Sequence, residues 1–110
     1  MAISSKRNRL EVETDLNVGD IVRVGDQRWY DSLPEYTGEF QYLSNGVEKW
    51  PNKDNNTVFT EDMKRYLGKR VMVVDVIYDD DGPNYDVKGV DEELPEIENF
   101  IFTNDMLFYD

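Results

Sequence analysis

A chain of 110 residues with 24 acidic and 12 basic side chains, no cysteine and no histidine, has room for one hydrophobic core and no separate catalytic lobe. The missing Cys and His remove disulfides, thiolate nucleophiles, the commonest general base and the usual zinc ligands, which excludes most hydrolase and zinc chemistry. No run approaches the ~20 apolar residues of a membrane-spanning helix, and Met1 to Leu10 carries bases with no apolar run behind them. A cytoplasmic protein without a signal peptide is therefore expected.

The charge is unevenly placed. From Val71 onward, twelve acids face a single base, Lys88, so that segment carries −11 of the net −12. A field of this sign repels nucleic-acid phosphate, and direct binding to DNA or RNA is not expected.

In chain order, residues 1–15, with Lys6, Arg7 and Arg9 at their start, read as a flexible arm, and residues 16–110 read as one domain. Leu16 to Asp20 is a turn with Gly19 at its tight position, and Ile21 to Val24 follows as a first strand. Gln27 to Gly38 reads as a long aromatic-rich loop. Glu39 to Leu43 alternates, Asn45-Gly46 is a strong hairpin signal, and Val47 to Trp50 can pair back. Thr60 suits a helix N-cap, Glu61 and Asp62 fill the first turn, Met63, Tyr66 and Leu67 share a face, and Gly68 ends the helix.

Lys69 to Tyr78 is the longest β-branched run, apolar on nearly both faces of the pleat. It is expected to be the central strand, covered on both sides. Asp79 to Asn84 turns the chain, Tyr85 to Val90 returns, Asp91 to Glu98 is an acidic loop broken by Pro95, Asn99 to Thr103 forms a last strand, and Asn104 to Leu107 closes. Val58-Phe59-Thr60-Glu61-Asp62-Met63 is echoed by Ile101-Phe102-Thr103-Asn104-Asp105-Met106. Two copies are too few for a solenoid, so the echo predicts a shared local device: an extended Phe entering a Thr-capped turn whose Met packs inward.

The Val-Gly-Asp turn before Val-Arg-Val, the Phe-Thr-x-x-Met helix ending in Leu-Gly-Lys, the Val-rich strand with its Tyr-containing return, and the terminal Phe-Thr-x-x-Met-Leu together resemble small SH3-like barrel proteins of phages and mobile elements. Over Leu16 to Leu107 the resemblance implies a mainly β fold. The implied fold is a partly open SH3-like barrel of about five strands with one short helix, a long aromatic loop and hairpin insertion, and 3-10 turns. It implies no activity.

Chemistry finds little purchase. An EF-hand with Gly82 at its sixth position would place Ile77 and Lys88 at ligand positions, so Asp79-Asp80-Asp81-Gly82 reads as a solvated turn. The acids cluster in polar turns that keep them ionised, which suits no glycosidase pair. No phosphate loop or nucleophile elbow is present. A non-enzymatic protein with no cofactor and no metal is expected.

Two binding surfaces are candidates. One is an acidic face of Asp79, Asp80, Asp81, Asp86, Asp91, Glu92, Glu93, Glu96 and Glu98, a DNA-like negative surface that would inhibit a host nucleic-acid-binding or defence protein by occupying its basic surface. The alternative is an aromatic groove of Trp29, Tyr30, Tyr36 and Trp50 that takes an extended Pro-rich peptide. A phage structural component is a third expectation.

Overall fold

Four short segments in which β-branched or aromatic residues concentrate, or which pair back from a tight turn, form the strands of one antiparallel sheet: β1 (Ile21–Val24), β2 (Arg70–Asp79), β3 (Gly82–Gly89) and β4 (Leu107–Tyr109), in the order β3-β2-β1-β4. The structure is a computed structural model that describes residues 10–36, 47–52 and 57–110. Among these, one α-helix, α1 (Gln27–Ser32), and three 3-10 helices, Glu61–Tyr66, Ile97–Asn99 and Asn104–Met106, complete the fold. The sheet is open. The fifth strand expected over Asn99 to Thr103 contributes a single bridge, Phe102 to Tyr85 on β3.

The inner face of the sheet carries Val22 and Val24 of β1, Val71 and Val73 of β2, and Tyr85 and Val87 of β3, all nearly inaccessible to water. Burying each such side chain contributes about 1.5–3 kcal/mol. Phe59, Met63, Tyr66, Phe102 and Met106 pack with them in one buried cluster. Tyr85 is wholly buried, and its hydroxyl is satisfied twice: it accepts from the Leu16 amide at 2.9 Å and donates to Asn104 Oδ1 at 2.6 Å.

β2 is not covered on both sides. Its pairing with β3 slips between Val73 and Asp75, where the register goes from Val73 opposite Val87 directly to Asp75 opposite Asp86. Val74 is the extra residue of a bulge, and a bulge changes which side chains face inward. Val71 and Val73 point into the core, Val74 and Asp75 both point out, and Val76 turns partly inward again. Strict alternation puts Val74 and Val76 on one face, so the sequence could not show this. The far half of the strand is a two-stranded ribbon that projects into water, with Ile77 53% and Tyr78 62% exposed.

Other expectations are met more closely. Gly19 adopts φ +97 in the Leu16 to Asp20 turn, where the Asp20 amide donates to Asn17 O at 3.0 Å and the Asn17 amide to Asp20 Oδ2 at 2.8 Å. The echoed segments do share one construction. Phe59 and Phe102 are each extended, bridged and fully buried, each Thr stands at the N-cap of a 3-10 helix, and Met63 and Met106 pack inward. The capping hydroxyls are the exception: Thr60 Oγ1 and Thr103 Oγ1 have no hydrogen-bond partner among the described residues.

The stretch read as a loop from Gln27 begins as α1. Asp26 caps it, accepting from the Trp29 amide at 2.9 Å, a Gly-Asp start signal outweighed in the sequence by the mixed composition that follows. Of the expected arm, residues 10–15 are described. The Val12 amide bonds to Leu107 O at 3.0 Å, and the Tyr109 amide bonds to Leu10 O at 2.8 Å, so this stretch runs beside β4 with Val12 buried. Most of the hairpin around Asn45-Gly46 lies outside the described residues; within them, Lys49 bridges Glu35 and Phe59.

Candidate functional site

The nine acids expected to form one face fall into two groups. Asp79, Asp80, Asp81 and Asp86 belong to the β2–β3 ribbon, whereas Asp91, Glu92, Glu93, Glu96 and Glu98 lie on the connection after β3 and around the 3-10 helix Ile97–Asn99. Segregation along the chain does not survive folding in the second group. Bases from before Val71 come back to it: Arg70 reaches Asp91 at 2.9 Å, Lys69 reaches Glu92 at 3.3 Å and Arg65 reaches Glu96 at 3.5 Å. The cause is register, since β2 begins at Arg70 and its first residues lie beside the end of β3. Glu93 and Glu98 have no ion pair among the described residues.

The ribbon is different. Asp75 and Asp86 are register partners on β2 and β3, Asp75 exposed and Asp86 half-buried, with no ion pair to either among the described residues. Beyond them the strands meet at a tight turn over Asp80 and Asp81, closed by Gly82 at φ +115. Asp79 organises the turn. One oxygen accepts from the Asp81 amide at 2.8 Å and the other from Asn84 Nδ2 at 2.6 Å, and these two bonds, the Asn84 side chain first, hold its carboxyl below the usual aspartate range. The Tyr78 hydroxyl donates to Asp15 Oδ2 at 3.0 Å, which raises the phenol's pKa and fastens the 13–20 segment to the ribbon. That segment brings further carboxylates, Glu13, Asp15 and Asp20. Val74, Ile77 and Tyr78 supply exposed apolar surface between the acids. The arrangement is a negative, partly apolar projection.

An open cavity of about 690 Å³ lies along the outer edge of β3, lined by Val74, Val87, Gly89, Leu94 and Ile97, with the five acids of the second group and Lys88 also on its walls. Sequence reading missed it. Its apolar members sit in a segment that reads as an acidic loop, and only the fold brings Leu94 and Ile97 against Val87. Gly89 permits this approach, since a Cβ there would meet the Glu92 carbonyl oxygen at 2.1 Å.

The four aromatics of the alternative site are not one groove. Tyr30 is buried under Lys49 and Lys64, whose ammonium groups stand 5.0 and 5.1 Å from its ring centroid. Trp29 packs edge-on against Phe59 at 5.1 Å and Phe108 at 6.1 Å. Tyr36 and Trp50 pair with each other at 5.0 Å, half-buried. Two of the four rings thus serve the core, and the other two form a separate contact.

Among the described residues, no group of three or more acidic side chains is placed to hold a metal ion, and no helix is long and apolar enough to cross a membrane. No protein-family model, curated protein or solved structure matches the chain.

Proposed function

We propose that the protein is a non-enzymatic binding protein that captures a host protein with a basic surface, using the acidic end of the β2–β3 ribbon. The observation that carries this reading is the register pairing of Asp75 with Asp86, two carboxylates placed opposite each other where a sheet is normally stabilised by a favourable pair. Asp79, Asp80 and Asp81 extend the same negative end, and exposed Ile77 and Tyr78 give a partner apolar area to bury. Binding there would mimic nucleic acid in charge and displace it from the partner. The phage setting and an anti-defence role follow from the resemblance alone. The SH3-like reading of the fold has support in the segment 102–109, which bridges β3 at Phe102 and pairs with β1 through β4, drawing the two halves of the sheet together as a partly open barrel would.

The test is capture from host lysate by the native chain and by the Asp79→Lys/Asp80→Lys/Asp81→Lys variant, at low and high salt, with mass-spectrometric identification. The reading requires a basic protein that the variant fails to retain, that high salt weakens and that duplex DNA displaces. Equal capture by both proteins overturns it.

A further inference from the structure

β2 outruns β1. The two strands pair from Arg70 to Met72, and the last bonds on that side belong to Val73, whose amide donates to Asp20 O at 2.9 Å and whose carbonyl accepts from the Gly19 amide at 2.8 Å. Beyond the bulge β2 continues to Asp79, paired with β3 alone. The register with β3 sets where its backbone groups point. Tyr85 exchanges bonds with Phe102 on the side away from β2, so its pair with Val76 is one that exchanges no ladder bonds. Two residues further on, Tyr78 lies opposite Pro83, which has no N–H to give. The backbone groups of Val76 and Tyr78 therefore point to the free edge of the ribbon. Asp75 Oδ1 accepts from the Val76 amide at 2.9 Å, which sets that carboxylate on the same edge. Among the described residues, no backbone group of a turn or loop bonds the amide or carbonyl of Tyr78. Tyr78 and Ile77 are each more than half exposed, at 62% and 53%, so this edge is open to a docking segment.

We infer that the free edge of β2 at Tyr78 receives the basic partner as an added strand, an extended segment in which basic and apolar residues alternate. One residue of the segment exchanges both backbone bonds with Tyr78 and lays an apolar side chain along the Tyr78 ring. Its two neighbours then fall on the face of Asp75, Ile77 and Asp79, because opposed residues share a face and successive ones alternate. Lysine or arginine suits those positions: the aliphatic stem covers Ile77 and the charge reaches Asp75 and Asp79. The same carboxylates bar a second copy of this chain, since two such edges would bring like charges together. This docking mode rests on the reading of the ribbon as the partner-binding surface and supplies its geometry.

The experiment uses the full chain with a capped peptide alternating lysine and valine. The control is the same peptide N-methylated throughout its backbone, which keeps the charge and loses the donors. Amide hydrogen exchange followed by NMR reads Tyr78, and anisotropy reads affinity. The expected result is protection of the Tyr78 amide by the first peptide and not by the second, with affinity about tenfold lower for the second. Ile77→Lys should weaken the first peptide by about as much, and because Ile77 is exposed a dispersed amide spectrum should show the fold intact. No Tyr78 protection with the first peptide present, or equal affinity for the two peptides, overturns the edge site. A dimer by light scattering, with Tyr78 protected before any peptide is added, overturns the basic segment as its occupant. If the edge site fails while Asp79→Lys/Asp80→Lys/Asp81→Lys still loses the lysate partner, the proposed function stands with another mode of contact. If that variant keeps full capture while the peptide protects Tyr78, the edge site stands and the proposed function falls.

Discussion

Asp75 and Asp86 stand opposite each other on neighbouring strands, and the Val76 amide donates to Asp75 Oδ1 at 2.9 Å, which fixes one carboxylate at the bulge beside the other. Like charges in directly opposed positions oppose strand pairing. Asp86→Lys turns the repulsion into a cross-strand ion pair and should stabilise the fold by about 0.2–1 kcal/mol at low salt. The gain should shrink as salt screens it. Urea denaturation at two ionic strengths measures both. The same variant should bind a basic partner less well. Improved stability with undiminished capture would separate Asp86 from the binding surface.

The two Thr hydroxyls give a second prediction. An N-cap threonine usually contributes through a bond to the helix backbone, and its loss costs about 0.5–2 kcal/mol. Thr103 is 93% buried by its 7% exposure, yet its Oγ1 lacks a partner among the described residues. A buried unsatisfied hydroxyl carries a desolvation penalty of about 1–3 kcal/mol, and an isosteric apolar group removes it. Thr103→Val should therefore raise stability, and Thr60→Val should do so less, because Thr60 is only half-buried. Phe59→Ala and Phe102→Ala, by contrast, should each cost about 3–5 kcal/mol, since both rings are wholly buried. Destabilisation by Thr103→Val of the size of an ordinary lost cap would show that the hydroxyl is bonded after all.

Local signals were legible and long-range ones were not. The Gly19 turn, β1, the β2–β3 pair and both Phe-Thr-x-x-Met devices follow from turn residues and from β-branched or apolar spacing within about ten residues of chain. The bulge at Val74 left no such mark, because Val73-Val74 reads the same whether or not the strand slips there. Two further features needed the fold itself: the return of Lys69 and Arg70 to Glu92 and Asp91, and the cavity that Leu94 and Ile97 make with Val87. Each depends on which ends of β2 and β3 meet. Charge order along the chain is for this reason a poor guide to charge order on the surface: among the described residues the ribbon acids, Glu93 and Glu98 stay without an ion pair, whereas Asp91, Glu92 and Glu96 do not.

Gly25 and Trp29 test whether the aromatic segment is core. A Cβ on Gly25 would sit 2.3 Å from the Trp29 ring, so Gly25→Ala must push the indole off Phe59 and Phe108. The expected cost is about 1–3 kcal/mol. In a Trp50→Phe background, the emission of Trp29 should shift to the red as the ring gains water. Trp29→Ala should likewise weaken the fold while leaving the salt dependence of partner capture unchanged at a temperature where the variant remains folded. Loss of capture with stability intact would restore the aromatic groove as the binding site.

Acid stability gives the last prediction. Asp110 accepts from Arg70 Nε at 2.7 Å and from Arg23 Nε at 3.1 Å, tying the residue after β4 to β1 and β2. The Arg70 hydrogen bond, helped by Arg23, holds the Asp110 carboxyl below the ordinary aspartate range. A carboxyl with a depressed folded pKa stabilises the native state above its unfolded pKa of about 3.9, and that contribution is lost as pH falls through the folded value. Asp110→Asn should therefore lower the Tm at neutral pH and bring it closest to native once the pH has fallen through the depressed folded value, with a shallower loss between. Asp79 and Glu61, depressed in the same direction by Asn84 and Lys64, keep some acid sensitivity in the variant. Parallel Tm curves for the two proteins from neutral to acid pH would show that the Arg23–Arg70–Asp110 cluster makes no pH-dependent contribution.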